Sequence, residues 1–141
     1  MATPAKKQSF LGGAAILTAA VVIVKLIGAD VLPDDQKLVI EVAHVIRAGF
    51  LQQEYFGKND AFVPLKKQFA MMKVILQYYH KMRDAVALQI PMSALLKLGF
   101  SEKLIAMKHD VLVDDLSLID SYAAEIDAKI GTLIAERGDR A

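Results

Sequence analysis

Apolar side chains recur at intervals of three and four residues along most of this chain, in stretches separated by strong helix breakers. This interval places side chains on one face of an α-helix. The clearest such stripe comprises Leu38, Val42, Val45, Ile46 and Phe50. The breakers are Gly28, Pro33, Pro64, Pro91 and Gly99. Because no alternating apolar runs flank an Asn-Gly or Asp-Gly turn, the pattern predicts an all-α helical bundle of about four long helices and one or two short ones.

The breakers also set the predicted helix boundaries. Helices are predicted over residues 9–27, 33–54, 64–89, 92–98, 101–109 and 114–137. The third of these carries an apolar set of Leu65, Phe69, Met72, Leu76, Tyr79 and Val86, and the last carries Leu118, Ile119, Tyr122, Ile126, Ile130, Leu133 and Ile134. A chain of 141 residues can bury a core without disulfides or metals. Residues 1–141 are therefore predicted to form a single helical domain, with residues 1–8 flexible.

The charge balance and the residue types exclude several functions. With 17 basic against 16 acidic residues, the net charge of +1 gives no field that would attract nucleic acid. The absence of cysteine excludes disulfides, zinc thiolate sites and thiol catalysis. The histidines fall on three different predicted helices and no pair has i, i+4 spacing, so neither a metal site nor a cofactor is predicted. Lys66, Lys67 and Lys73 are predicted to form a solvated face.

The apolar residues are concentrated near the start of the chain, where no charged residue stands between Lys7 and Lys25. Such a run is typical of a short membrane helix or of a core helix that other helices surround. A soluble, cytoplasmic protein is the favoured interpretation, and membrane association stays open. In a soluble protein the apolar helix 9–27 would pack in the core, self-associate or bind a protein partner.

Several short segments carry a family resemblance over roughly residues 20–137. They are Leu26-Ile27-Gly28, Val31-Leu32-Pro33, Ile46-Arg47, Phe50-Leu51-Gln52-Gln53, Pro64-Leu65 and Ile90-Pro91. In order and spacing they resemble the C-terminal helical domain of the catalytic A subunit of archaeal and vacuolar-type ATPases. The most specific of them is Phe-Leu-Gln-Gln followed by Phe56.

The resemblance implies a part of a rotary assembly that couples ATP synthesis to proton transport. The complete A subunit uses a phosphate-binding loop in a preceding domain, and this chain has no glycine-rich loop ending in Gly-Lys-Ser/Thr. A non-catalytic, structural or protein-binding domain is therefore expected, with other rotary ATPase subunits as partners. The resemblance also implies that Phe56 borders the adenine side of a nucleotide. The implied stalk-facing turn comprises Leu88, Gln89, Ile90, Pro91 and Met92, and continues to Ala94.

Some residues depart from the family pattern. Tyr55 replaces a small residue and would crowd an adenine, while Ala48 and Gly49 replace two acids after Arg47. Glycine inside a helix costs about 1 kcal/mol relative to alanine, so its presence requires a reason. Residues 7–18 resemble instead the first membrane helix of a polysaccharide or lipid flippase. This combination favours an engineered, chimeric or designed scaffold.

Two alternative functions follow from the same region. The amine of Lys25, placed among apolar side chains, would have a lowered pKa and could form a Schiff base. With Ala48 and Gly49 leaving space opposite, Lys25 would then be the catalytic or ligand-binding group of an engineered pocket. The other alternative is a membrane-anchored fragment, held by the apolar helix 9–27.

Overall fold

The computed structural model describes residue 28, residues 31–54 and residues 56–139. Five α-helices lie in this part: α1 Asp34–Val45, α2 Leu65–Ala87, α3 Met92–Leu96, α4 Phe100–Asp110 and α5 Ser117–Gly138. A π-helical segment, Ile46–Leu51, continues α1 without a break. The described residues contain no strand, and the predicted all-α fold is confirmed.

Two compact units divide the chain, Met1–Pro33 and Asp34–Ala141, and all five helices belong to the second. The predicted apolar helix 9–27 lies outside the described residues, as do Lys25 and Tyr55. A single domain spanning residues 1–141 stays a prediction. The helix starts predicted at Pro33 and Pro64 are each one residue before the observed ones, and the start predicted at Met92 is the observed one. Proline suits the residues that open a helix.

The core of the second unit forms around α2, which packs against α1 on one side and α5 on another. Helix α1 contributes the predicted stripe through Leu38, Val42 and Val45, and α5 contributes Ile119, Ile126 and Ile130. From α2 itself come Met71, Val74, Ile75, Tyr78, Met82 and Ala85. The predicted stripes of α1 and α5 are therefore confirmed as core-facing.

Most of the apolar set that sequence periodicity picked out in α2 lies outside this core, although Tyr79 and Val86 pack against it. Leu65 is 81% exposed and Phe69 is 70% exposed, and Leu76 is also exposed. Helix α2 has apolar residues on two faces, and the face that lies against α1 and α5 begins with Lys67. Because the buried stripe begins with a lysine, its apolar periodicity was harder to recognise in the sequence than that of the exposed stripe.

Gly49 lies in the π-helical segment and is buried against α4. A Cβ at this position would lie 2.9 Å from the carbonyl oxygen of Leu104 and 3.0 Å from the Cα of Ile105. The backbone of the π-helical segment therefore approaches the backbone of α4 more closely than a side chain would allow. This close approach is the reason for a glycine within helical structure, and it fills the space beside Gly49 with main-chain atoms.

Candidate functional site

The residues that the family resemblance singled out lie on the two connections that flank α2. Phe56 belongs to the loop that precedes the helix, whose described residues are 52–54 and 56–64, and the turn Leu88–Met92 follows the helix. Helix α2 has 23 residues. At 1.5 Å per residue its ends are about 35 Å apart. The structure thus places the two features on separate surfaces and does not assemble them into one site.

The loop before α2 is held by hydrogen bonds from its own polar residues. The buried carboxylate of Asp60 accepts the backbone N–H of Glu54 at 2.5 Å. The side-chain amide of Asn59 donates to the carbonyl oxygen of His109 at 2.7 Å, which ties the loop to the end of α4. On this framework the side chain of Phe56 is 95% exposed.

The strongest constraint on the loop is the buried amine of Lys67. Its Nζ donates to the carbonyl oxygens of Asn59 at 2.7 Å, Lys108 at 3.1 Å and Val111 at 2.8 Å. The side chain of Lys67 is fully buried, and this burial lowers its pKa, an effect that the nearby carboxylate of Asp60 opposes. A cation is favoured among the last carbonyls of a helix, where the end of α4 supplies two of the three acceptors.

Sequence reasoning missed this network, because it assigned Lys67 to a solvated face with Lys66 and Lys73. That assignment is wrong for Lys67, whose Nζ is enclosed by main-chain carbonyls. The signal was nevertheless present: Lys67 stands four residues before Met71 and seven before Val74, in register with the buried stripe.

A second lysine completes the attachment of the loop to α4. The Nζ of Lys108 donates to the carbonyl oxygen of Gln52 at 3.0 Å. The first and the middle parts of the loop are therefore bonded to the same end of α4, by Lys108, Asn59 and Lys67. With both parts fixed, the loop presents Phe56 from a defined backbone position.

A small cavity lies beside this loop. Its volume is about 250 Å³, and its lining residues are Phe50, Leu51, Gln53, Asp60, Val63, Gln68 and Met71. Small-molecule sites usually enclose about 300–1,000 Å³, so this cavity is below the size that holds a nucleotide. Phe56 is not one of its lining residues. The cavity and Phe56 therefore do not form a complete nucleotide site within the described residues.

The turn after α2 ends the helix with an uncommon residue. Gln89 has a φ of 61°, in the left-handed region where glycine is usual. The N–H of Ile90 donates to the carbonyl of Ala85 at 3.1 Å, and the N–H of Gln89 donates to that of Val86 at 2.9 Å. These two bonds form a Schellman motif, which satisfies carbonyls that the helix end leaves open.

The next helix, α3, is capped by a residue that is distant in sequence. An oxygen of the Asp34 carboxylate accepts the N–H of Met92 at 2.9 Å. This bond, helped by Lys37, holds the pKa of Asp34 below its usual value. Ile90 and Met92 are buried beneath the turn, while Leu88 and Pro91 are exposed. The turn therefore displays Leu88, Gln89 and Pro91 from a fixed base.

Replacing Asp34 with alanine is expected to lower the free energy of unfolding by about 1 kcal/mol, because the N–H of Met92 loses its capping oxygen. Asp35→Ala is the matched control, since it removes the neighbouring acid from the same first turn of α1 and no such bond. Urea denaturation of both variants measures the difference. Equal losses would mean that the Asp34 cap does not stabilise the turn.

Other sequence predictions have no counterpart in the described part of the chain. The pocket around Lys25 stays a prediction, since that residue is outside it. No three acidic or histidine side chains come together there in a way that could hold a metal ion. None of the described helices is long and apolar enough to cross a membrane. The cytoplasmic location also stays a prediction.

The described residues define a small all-α domain with a rigid connection at each end of its longest helix. The family model for the C-terminal domain of V and A type ATP synthase matches residues 18–95, and the chain belongs to this family. The resemblance to the C-terminal helical domain of the family's A subunit is thereby confirmed.

Comparison with three relatives shows what share of their length this chain matches. It is 39% identical over 114 residues to the V-type ATP synthase alpha chain 2 of Clostridium tetani, a match that covers 81% of this chain and 19% of that protein. It is 41% identical over 105 residues to the V-type ATP synthase alpha chain of Halothermothrix orenii, a match that covers 74% of this chain and 18% of that protein. The chain is 36% identical over 116 residues to the V-type ATP synthase alpha chain of Clostridioides difficile, and this match covers 82% of this chain and 20% of that protein.

The chain therefore spans about a fifth of the length of the relatives it matches. Neither the flippase resemblance of residues 7–18 nor an engineered origin gains support from these matches, and both stay predictions.

Proposed function

We propose that this chain is a non-catalytic interaction domain of a rotary ATPase, and that its turn Leu88–Met92 contacts the central stalk. The observation that carries this proposal is the construction of the turn. It is closed by a Schellman motif and capped by Asp34, and it exposes Leu88 and Pro91. A connection ordered before binding loses little conformational entropy when a partner docks, which favours a contact that must be made repeatedly.

Gln89 adds a second line of support. A left-handed conformation costs a residue with a Cβ about 1–2 kcal/mol, and glycine would adopt it freely. A glutamine here keeps a polar side chain in an exposed position at that energetic cost. Strain retained at an exposed turn is typical of functional positions, and a hydrogen bond from the Gln89 amide to the stalk would account for it.

The loop before α2 has a different role in this proposal. Phe56 borders the adenine side of a nucleotide whose phosphates are bound by residues outside this chain. The loop's attachment to α4 supports this role, because it holds an exposed aromatic side chain on a fixed backbone. A rigid aromatic surface of this kind suits stacking on a planar base.

The test measures binding of the full chain to the purified central-stalk subunits of a V-type ATP synthase. Leu88→Glu is expected to weaken binding at least about tenfold, because it places a charge in an apolar contact. Leu112→Glu is the matched control, an exposed leucine in the connection between α4 and α5. Phe56→Ala should leave stalk binding unchanged, and in a complete catalytic chain that carries this domain it should raise the KM for ATP.

Two results would contradict the proposal. One is an absence of binding by the unmodified chain, and the other is an equal loss in Leu88→Glu and Leu112→Glu. An unchanged KM in Phe56→Ala would reject the adenine-side role alone.

A further inference from the structure

Helix α2 carries a second apolar stripe that its own core does not use. The stripe comprises Leu65, Phe69, Met72, Leu76 and Tyr79, and is called the α2 seam below. Successive members are separated by four, three, four and three residues. This is the a and d spacing of a heptad repeat, in which side chains from one helix insert between those of another.

Most of the α2 seam faces away from the core of the second unit, although Tyr79 packs against the edge of that core. Leu65, Phe69 and Leu76 are exposed, and Met72 and Tyr79 are half-buried. The residues one position earlier in the helix, Met71, Ile75 and Tyr78, are buried. Along the described part of the chain, the helices that pack on α2 therefore leave Leu65, Phe69 and Leu76 of the seam accessible. A stripe with coiled-coil spacing, exposed on the outside of a bundle, is a surface that a further helix fits.

Basic residues line one flank of the α2 seam. Lys66, Lys73 and His80 each follow a seam residue and stand seven positions apart. In a heptad these are the flanking positions that choose a partner through ion pairs. Neither Lys66 nor Lys73 is paired with another residue in the part of the chain that the structure describes. The other flank consists of Gln68, Ile75 and Met82, which carry no charge.

This charge pattern disfavours a second copy of the chain as the occupant. In an antiparallel pair the equivalent flanks face each other, so Lys66 and Lys73 would meet basic residues of the other copy. In a parallel pair the basic flank would meet the uncharged one, which offers no acid. Like charges at such positions weaken association, whereas opposite charges favour it.

We propose that the α2 seam binds an amphipathic α-helix of another polypeptide, one that carries acidic residues beside its own apolar stripe. Its apolar side chains insert between Leu65, Phe69 and Leu76, and its acids pair with Lys66 and Lys73. This surface runs along the side of α2 and is separate from the turn Leu88–Met92, so it goes beyond the stalk contact proposed above.

The test titrates the full chain into two labelled synthetic peptides and follows fluorescence anisotropy. Both peptides have three heptads with leucine at a and d, and they differ in having glutamate or lysine at e and g. The glutamate peptide is expected to bind at least about tenfold more tightly, since charge pairs at these positions set partner choice. Phe69→Glu should abolish binding, and Lys66→Glu with Lys73→Glu should reverse the preference. The control pair is Lys58→Glu with Lys97→Glu, which changes two exposed lysines away from the seam.

Leu88→Glu should leave peptide binding unchanged, because Leu88 lies outside the seam. The stalk-binding proposal and the seam-binding proposal can therefore fail independently of each other. Equal affinities for the two peptides, or binding that survives Phe69→Glu, would overturn the proposal. The chain could instead bind neither peptide and sediment with anionic phosphatidylglycerol vesicles. If Phe69→Glu prevented that sedimentation, the seam would be assigned to a lipid surface. A dimer in light scattering that Phe69→Glu dissociates would assign it to self-association.

Discussion

Lys67→Met is expected to lower the free energy of unfolding by about 3–5 kcal/mol, because it leaves the buried carboxylate of Asp60 without the opposing charge nearby. The substitution keeps an unbranched side chain of similar length and removes the donor to three carbonyl oxygens. Those acceptors belong to Asn59, Lys108 and Val111. A buried acceptor without a partner costs about 1–3 kcal/mol, and the loss is partly offset because no amine remains to be desolvated.

Lys66→Met is the matched control, the same change at the adjacent, exposed residue. It is expected to alter stability by less than about 0.5 kcal/mol, as surface substitutions do. Guanidinium denaturation of both variants gives the comparison. Hydrogen exchange of Gly57 and Ala61 should also accelerate in Lys67→Met alone, since the loop loses its attachment to α4. Two variants of equal stability would show that the Lys67 network does not hold the loop.

Much of the helical framework could be predicted from the sequence because its determinants are local. Pro33, Pro64 and Pro91 each fix a helix start through their own backbone chemistry. The core-facing stripe of α1 was also predicted correctly, although Val39 and Ile40 are apolar residues of that helix that lie exposed outside the stripe. Periodicity in α2 was ambiguous, since two faces carry apolar residues at helical spacing and only contacts with α1 and α5 decide between them.

The features that build the candidate site depend on residues distant in sequence. Burial of Lys67 requires carbonyls 41 and 44 residues away, which no local pattern signals. The cap on Met92 comes from Asp34, 58 residues earlier. Periodicity did not mark the turn at Gln89 or the loop at Phe56 as functional, and both came from the family resemblance. Their rigidity became visible only once these long-range bonds were in place.

The two ends of α2 are stabilised in different ways, and this bears on their proposed roles. The loop is held by side-chain donors that reach main-chain carbonyls, so its backbone is fixed while Phe56 projects outward. The turn is held mainly by backbone bonds and one carboxylate. Neither end requires the other, so a substitution at one is expected to leave the other's binding intact. Such independence would let one short helix bundle make both of the proposed contacts.

Gly49→Ala is expected to destabilise the protein by about 1–3 kcal/mol, the usual cost of overpacking. An added Cβ would lie 2.9 Å from the oxygen of Leu104, and backbone atoms cannot move aside as a flexible side chain can. The π-helical segment and α4 would have to separate. That separation would also disturb the loop, which follows the π-helical segment directly.

Gly131→Ala is the control, a glycine within α5 whose Cβ would have nothing within 4 Å. There alanine should stabilise the protein by about 0.5–1 kcal/mol, because it favours the helix and restricts the unfolded chain. The same substitution in two helical segments is thus expected to give effects of opposite sign, which urea midpoints would resolve. If Gly49→Ala were as stabilising as Gly131→Ala, the close approach of the π-helical segment to α4 would be wrong. The glycine that replaces a family acid after Arg47 would then need another explanation.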